Sequence, residues 1–132
     1  MDLLQRLIDK ITTNIALPAP IQVGVLSTQS PAICIRQTPS YPSTKYLDKG
    51  NTYQFAFQIL IKDHNQQQAV FTLQDITFFL DNLGNGAIVS GNGSFSFVSC
   101  NVYTMPNFVQ KTEHDEYVYT ALFQAEIERR GV

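Results

Sequence analysis

Residues 52–62, TYQFAFQILIK, alternate without a break: Tyr53, Phe55, Phe57, Ile59 and Ile61 fall on one face, and Gln54, Gln58 and Lys62 share the other with Ala56 and Leu60. A side-chain period of two is that of a strand with one apolar face. Within three residues the period changes. Asp63 and Asn65 offer side-chain oxygens to cap a helix, and Ala69, Leu73, Ile76, Leu80 and Leu83 follow at spacings of four, three, four and three, which is the helical repeat. A strand and a helix joined this closely bury their apolar sides against each other or against further strands of one sheet, so the pair forms the core.

Bulk properties narrow the class. The 132 residues suit one domain, residues 1–132, with enough chain to bury roughly two-thirds of its unfolded surface. Apolar residues at 44% against 15% charged exclude general disorder and leave a surface that leans on neutral polar groups. Sparse surface charge is a feature of surfaces covered by a partner. A formal charge of −2 and a pI near 5.5 supply no broad basic field for phosphates, which argues against sequence-specific DNA binding.

Residues 2–17 place Leu3, Leu4, Leu7, Ile8, Ile11 and Ile15 at helical spacing, interrupted by Arg6, Asp9 and Lys10. That is an amphipathic helix and lacks the unbroken apolar centre of an export signal. Nowhere do about 18 uninterrupted apolar residues occur, so no membrane span is expected and the chain is expected to stay in the cytoplasm where it is made. Cys34 and Cys100 lie far apart without CxxC or Cys/His spacing and read as buried thiols.

The first helix ends before Pro18 and Pro20. Residues 22–26 form a short strand or an extended linker. Residues 33–37 form a strand with Ile33 and Ile35 on one face and Cys34 and Arg36 on the other. The second helix stops at Gly84, placed for a left-handed terminal conformation, and Gly91, Asn92 and Gly93 make a further turn. These glycines follow a helix and precede a strand, the reverse of a phosphate cradle. Residues 95–105 are that strand, with Phe95, Phe97, Tyr103 and Met105 on one side and Val98, Cys100 and Val102 on the other, so it is expected to be central or covered by a partner. Residues 106–115 read as a polar loop, and residues 116–128 as a last strand with an acidic outer face. The result is an α+β fold: a mainly antiparallel sheet of four to five strands with two helices packed on one face.

Catalytic constellations are scarce. His64 follows the alternating strand, and His114 sits beside Glu113, Asp115 and Glu116, but no HxxxH or similar spacing builds a metal site from them, and both read as solvated turn residues. There is no GxSxG, no Walker loop and no recognisable carboxylate pair. No catalytic, cofactor-binding or metal residue is assigned. Residues 38–51 form a loop longer than usual, carrying Tyr41 and Tyr46 beside Lys45 and Lys49 on an otherwise acidic chain. A protein partner fits those four residues better than a nucleic acid does.

The run from Tyr46 through Leu83, YLDKGNTYQFAFQILIKDHNQQQAVFTLQDITFFLDNL, has a Tyr-x-Asp-x-Gly turn, an aromatic strand ending in Lys and an Asn/Gln-rich helix start. It resembles the minor capsid and tail terminator family of long-tailed phages. The amphipathic first helix, the strand at residues 33–37 and the closing EYVYTALFQAEIER strand agree with that resemblance in outline. It implies a structural protein, not an enzyme, that forms a hexameric ring on the finished tail tube, stops its growth and presents a surface to the head connector. The implied partners are further copies of the chain, the tail tube protein and the head connector protein. DNA would pass through the lumen without sequence-specific binding, and no cofactor or membrane would be involved. The implied location is the host cytoplasm during assembly and then the junction of tail and head in the virion. The alternative is a small α+β binding module or enzyme, whose signature would be a titratable cluster assembled from distant positions.

Overall fold

The alternating stretch is the middle strand of a five-stranded sheet. Strands β1 (Ile21–Val23), β2 (Ala32–Gln37), β3 (Thr52–Asp63), β4 (Phe95–Lys111) and β5 (Tyr117–Arg129) lie in the order β1-β2-β3-β5-β4, and helices α1 (Leu3–Asn14) and α2 (Gln66–Asp81) pack against them. The structure, a computed structural model, describes residues 2–39 and 52–129. β3 pairs antiparallel with β2 and with β5, the latter without a register break from Thr52 opposite Glu128 to Asp63 opposite Tyr117. β4 is antiparallel to β5, and β1 is parallel to β2. The α+β fold is the one expected, with β1 making the sheet mixed.

The apolar face of β3 meets that of β5: Phe57 stacks on Phe123 with ring centroids 5.1 Å apart and planes 15° from parallel. Such a pair contributes about 0.5–1.5 kcal/mol beyond its buried area. Leu7 and Ile11 of α1 and Leu73, Ile76 and Leu80 of α2 close over these rings in one continuous cluster, which places both helices over the same face. The turn into α2 is capped as its sequence suggests. Asp63 Oδ1 accepts from the Asn65 N–H at 2.8 Å, and Asn65 Oδ1 from the Gln68 N–H at 3.1 Å. On the opposite, outer face, Cys34, Leu60 and Val118 form a small second cluster with Leu26. The connection between β1 and β2 therefore folds back over one end of that face.

Three expectations are corrected and a fourth is narrowed. α1 ends at Asn14, short of residue 17, because Ile15 turns extended (φ −128°, ψ 132°) on the approach to Pro18, where helical geometry is disfavoured. α2 ends with Asn82 as its C-cap, and the left-handed residue is Gly86 (φ 78°) instead of Gly84. The Gly86 N–H donates to the Phe97 carbonyl at 2.9 Å, which draws the turn toward β4. β4 was expected to be central or covered by a partner, and its place at the edge of the sheet removes the first alternative only. β4 also runs on through Pro106 to Lys111, where a loop was expected. An edge strand tolerates a proline because one side of it has no ladder to complete.

Candidate assembly surfaces

The four residues expected to meet a partner, Tyr41, Lys45, Tyr46 and Lys49, lie outside the described residues. Their loop springs from neighbouring antiparallel strands, with Gln37 of β2 opposite Phe57 of β3. At its foot Thr38 and Pro39 line a cavity of about 360 Å³ with Ala56, Tyr103, Leu122 and Gln124. That cavity lies on the outer face of the sheet, beside the last described residues after β2.

That face is tied across its strands by side-chain hydrogen bonds. Arg36 Nε of β2 donates to Gln58 Oε1 of β3 at 2.9 Å, and Gln58 Nε2 donates to Thr120 Oγ1 of β5 at 2.8 Å. The Thr120 hydroxyl in turn donates to the Ile59 carbonyl at 3.1 Å, and Gln54 Nε2 donates to Glu126 Oε1 at 3.1 Å. Each of these polar side chains is thereby restrained by a neighbouring strand.

At one end of the face Lys62 Nζ lies 3.5 Å from Glu116 Oε2, both side chains nearly buried, and donates to the Ser27 carbonyl at 2.6 Å. The Thr112 hydroxyl donates to Glu116 Oε1 at 2.9 Å. Burial pushes the Glu116 pKa up, but the Thr112 hydrogen bond and the Lys62 charge outweigh it and leave the carboxyl below its ordinary value. By its alternation Glu116 belongs to the acidic outer face of the last strand. The signal for a buried pair was its parity with Val118, which sits opposite Lys62, and that signal needs the register to be known.

β4 is the other exposed surface. Its register against β5 slips four times, and the first slip, between Phe97 and Ser99, returns Cys100 to the core face beside Phe97. This is why the two sides read from alternation do not hold: a bulge inserts one residue and exchanges the faces beyond it. Tyr103, Met105, Phe108 and Val109 are 47–63% exposed. Phe108 rests edge-on against Tyr119, with centroids 5.5 Å apart.

The model of a family described as bacteriophage tail terminator protein matches residues 26–129, from the connection before β2 to the end of β5. The chain belongs to that family. Among curated proteins none matches. As a member of a tail terminator family the chain is a structural component of a phage tail, which places it in the virion and in contact with other tail components. Burial, with the charge of Asp81 adding to it, pushes the Cys100 thiol up to about 12, and burial raises that of Cys34. Such thiols are not nucleophiles at neutral pH. His64 is exposed, with Nδ1 3.2 Å from the Asp115 carbonyl oxygen, and His114 is exposed in the turn between β4 and β5. Among the described residues no three of His, Cys, Asp or Glu come together to hold a metal, and no helix is long and apolar enough to cross a membrane.

Proposed function

We propose that copies of this tail terminator close into a ring, hexameric as the resemblance implies, on the end of the finished tail tube. The ring stops tube growth and offers its other side to the head connector, and DNA passes through its lumen without sequence-specific contacts. Assembly takes place in the host cytoplasm, and the product is the junction of tail and head in the virion. The observation that carries this reading is the family match itself, which spans β2 to β5 and α2. In the same reading Tyr41, Lys45, Tyr46 and Lys49 contact a tail or head component, since aromatic residues dominate the energetic centres of interfaces.

Electron microscopy of the purified protein mixed with tail tubes tests both statements. Rings at one end of each tube and arrested tube length are expected. A chain carrying Tyr46→Ala, Lys45→Glu and Lys49→Glu is expected to melt as the wild type does and to leave most tube ends bare. Bare ends at saturating wild-type protein would remove the ring, and full capping by the triple variant would remove the loop from the contact.

A further inference from the structure

The charges of this chain are distributed unevenly. Residues 11–35 and residues 82–110 contain no Asp, Glu, Lys or Arg at all. The first stretch holds β1 and the second holds all of β4 but its last residue, and these are the two edges of the sheet. Exposed apolar side chains gather in the same places. Of the nine large ones among the described residues, seven lie on or next to the edge strands: Val23 and Val25 by β1, Tyr103, Met105, Phe108 and Val109 on β4, and Val89, which bridges Ser96 near the start of β4.

Sheet edges exposed to water are ordinarily blunted by charged side chains, because an open edge is a template for another chain. Apart from Lys111 at the end of β4 neither edge strand carries a charge, and what limits main-chain pairing there is the shortness of β1 and the Pro106 and register slips of β4. Bringing the two together would bury apolar surface without taking any charge of those stretches out of water, the step that makes charged interfaces costly. The edges also lie on opposite sides of one sheet, so joining unlike edges is a head-to-tail contact, which propagates and closes when its rotation permits. β1 has only three residues and few free main-chain groups, so the apolar side chains carry most of the contact.

We propose that the β4 edge of one copy packs against the β1 edge of the next, with Tyr103, Met105, Phe108 and Val109 set against Val23 and Val25. This rests on the ring reading and names the surfaces that build the ring. β1 precedes the region matched by the family model, so one half of the contact comes from the chain's own amino-terminal segment.

The test is crosslinking of the assembled full chain with a short bis-maleimide. A Val23→Cys, Met105→Cys double variant is expected to give a ladder of ascending multiples on a denaturing gel, while each single variant stays monomeric. Native Cys34 and Cys100 are buried and do not react. In parallel, Met105→Lys is expected to melt as the wild type does and to lose ring assembly at concentrations where the wild type is fully assembled. Rings without a ladder, or rings formed by Met105→Lys, overturn the edge contact and leave the ring reading standing. Crosslinked dimers from Met105→Cys alone overturn it in favour of a two-fold contact between β4 edges. Monomer under every condition, with and without tail tubes, overturns both.

Discussion

β3 and β4 belong to one sheet but obey different constraints. β3 is paired on both sides, holds register with β5 over its whole length and buries Phe57, Ile59 and Ile61 completely. β4 is longer, has a strand on one side only, with a single bridge from Val89 to Ser96 on the other, and slips four times against β5. A slip of one residue moves all later side chains to the other face. β3, with strands at both edges, has nowhere to accommodate it. β4 accommodates it toward solvent, so strict alternation in this molecule reports how many neighbours a strand has.

The most severe test of that contrast is deletion of a single residue from each strand. Removing Gln58 forces either Phe55 and Phe57 or Ile59 and Ile61 out of the core, at about 1.5–3 kcal/mol for each large side chain, a sum comparable to the whole stability of about 5–15 kcal/mol of a typical domain. No soluble folded protein is expected. Removing Val98 deletes the extra residue between Phe97, opposite Ile127, and Ser99, opposite Glu126, and leaves Cys100 opposite Ala125. That variant is expected to fold, with a melting temperature lowered by a few degrees. Phe57→Ala falls between them, at about 3–5 kcal/mol from the cavity it opens. Soluble yield and thermal melts decide the order, and equal loss from the two deletions would refute the contrast.

The same contrast explains what was legible. The faces of β3 and β5, the Asn65 cap and the common core of two helices and a sheet follow from unbroken periods. β4 was not legible beyond Phe97 because its bulges scramble the period, and Pro106 reads as a loop unless the strand is known to be an edge. The pair of Lys62 and Glu116 was hidden for another reason. Each residue has an unremarkable position in its own strand, and only the register between β3 and β5 brings them together.

An intermediate effect should appear in acid. Glu116 fastens the turn between β4 and β5 to β3 through Lys62, and Asp2 fastens α1 to the turn before β4, accepting from the Ser90 hydroxyl and the Gly91 N–H, each at 2.8 Å. In both cases burial pushes the pKa up and is outweighed, for Asp2 by the Ser90 and Gly91 hydrogen bonds and for Glu116 by Thr112 and Lys62. The carboxyls therefore lie below their ordinary 3.8 and 4.5. The folded state keeps these charges where the unfolded chain has begun to take up protons. Their stabilisation is complete above pH 4.5 and is lost as pH falls through the lowered values. Melting temperatures followed from pH 7 to pH 2 are expected to fall below about pH 4.5. Asp2→Asn and Glu116→Gln are expected to start lower at pH 7 and to fall less steeply. Curves parallel to the wild type would show that neither carboxylate contributes.

The smallest effect is expected at Pro106, which reads as a loop residue but lies within β4. It sits within a register slip, between Thr104 opposite Leu122 and Asn107 opposite Thr120, so β5 has no ladder partner assigned to it. The Asn107 side chain fills that gap, with Nδ2 donating to the Thr120 carbonyl at 3.1 Å and to the Met105 carbonyl at 2.9 Å. If the slip is held by Asn107, the proline is a passenger in the folded subunit, and Pro106→Ala should change stability by no more than about 0.5 kcal/mol, as surface substitutions generally do. Asn107→Ala should cost more, about 1 kcal/mol, because it leaves the carbonyls it serves with less satisfaction. Denaturant titrations of the two variants resolve the difference. A larger loss from Pro106→Ala than from Asn107→Ala would mean that the ring of the proline, and not the amide beside it, sets the slip, and β4 would then be less free at its open edge than the contrast with β3 requires.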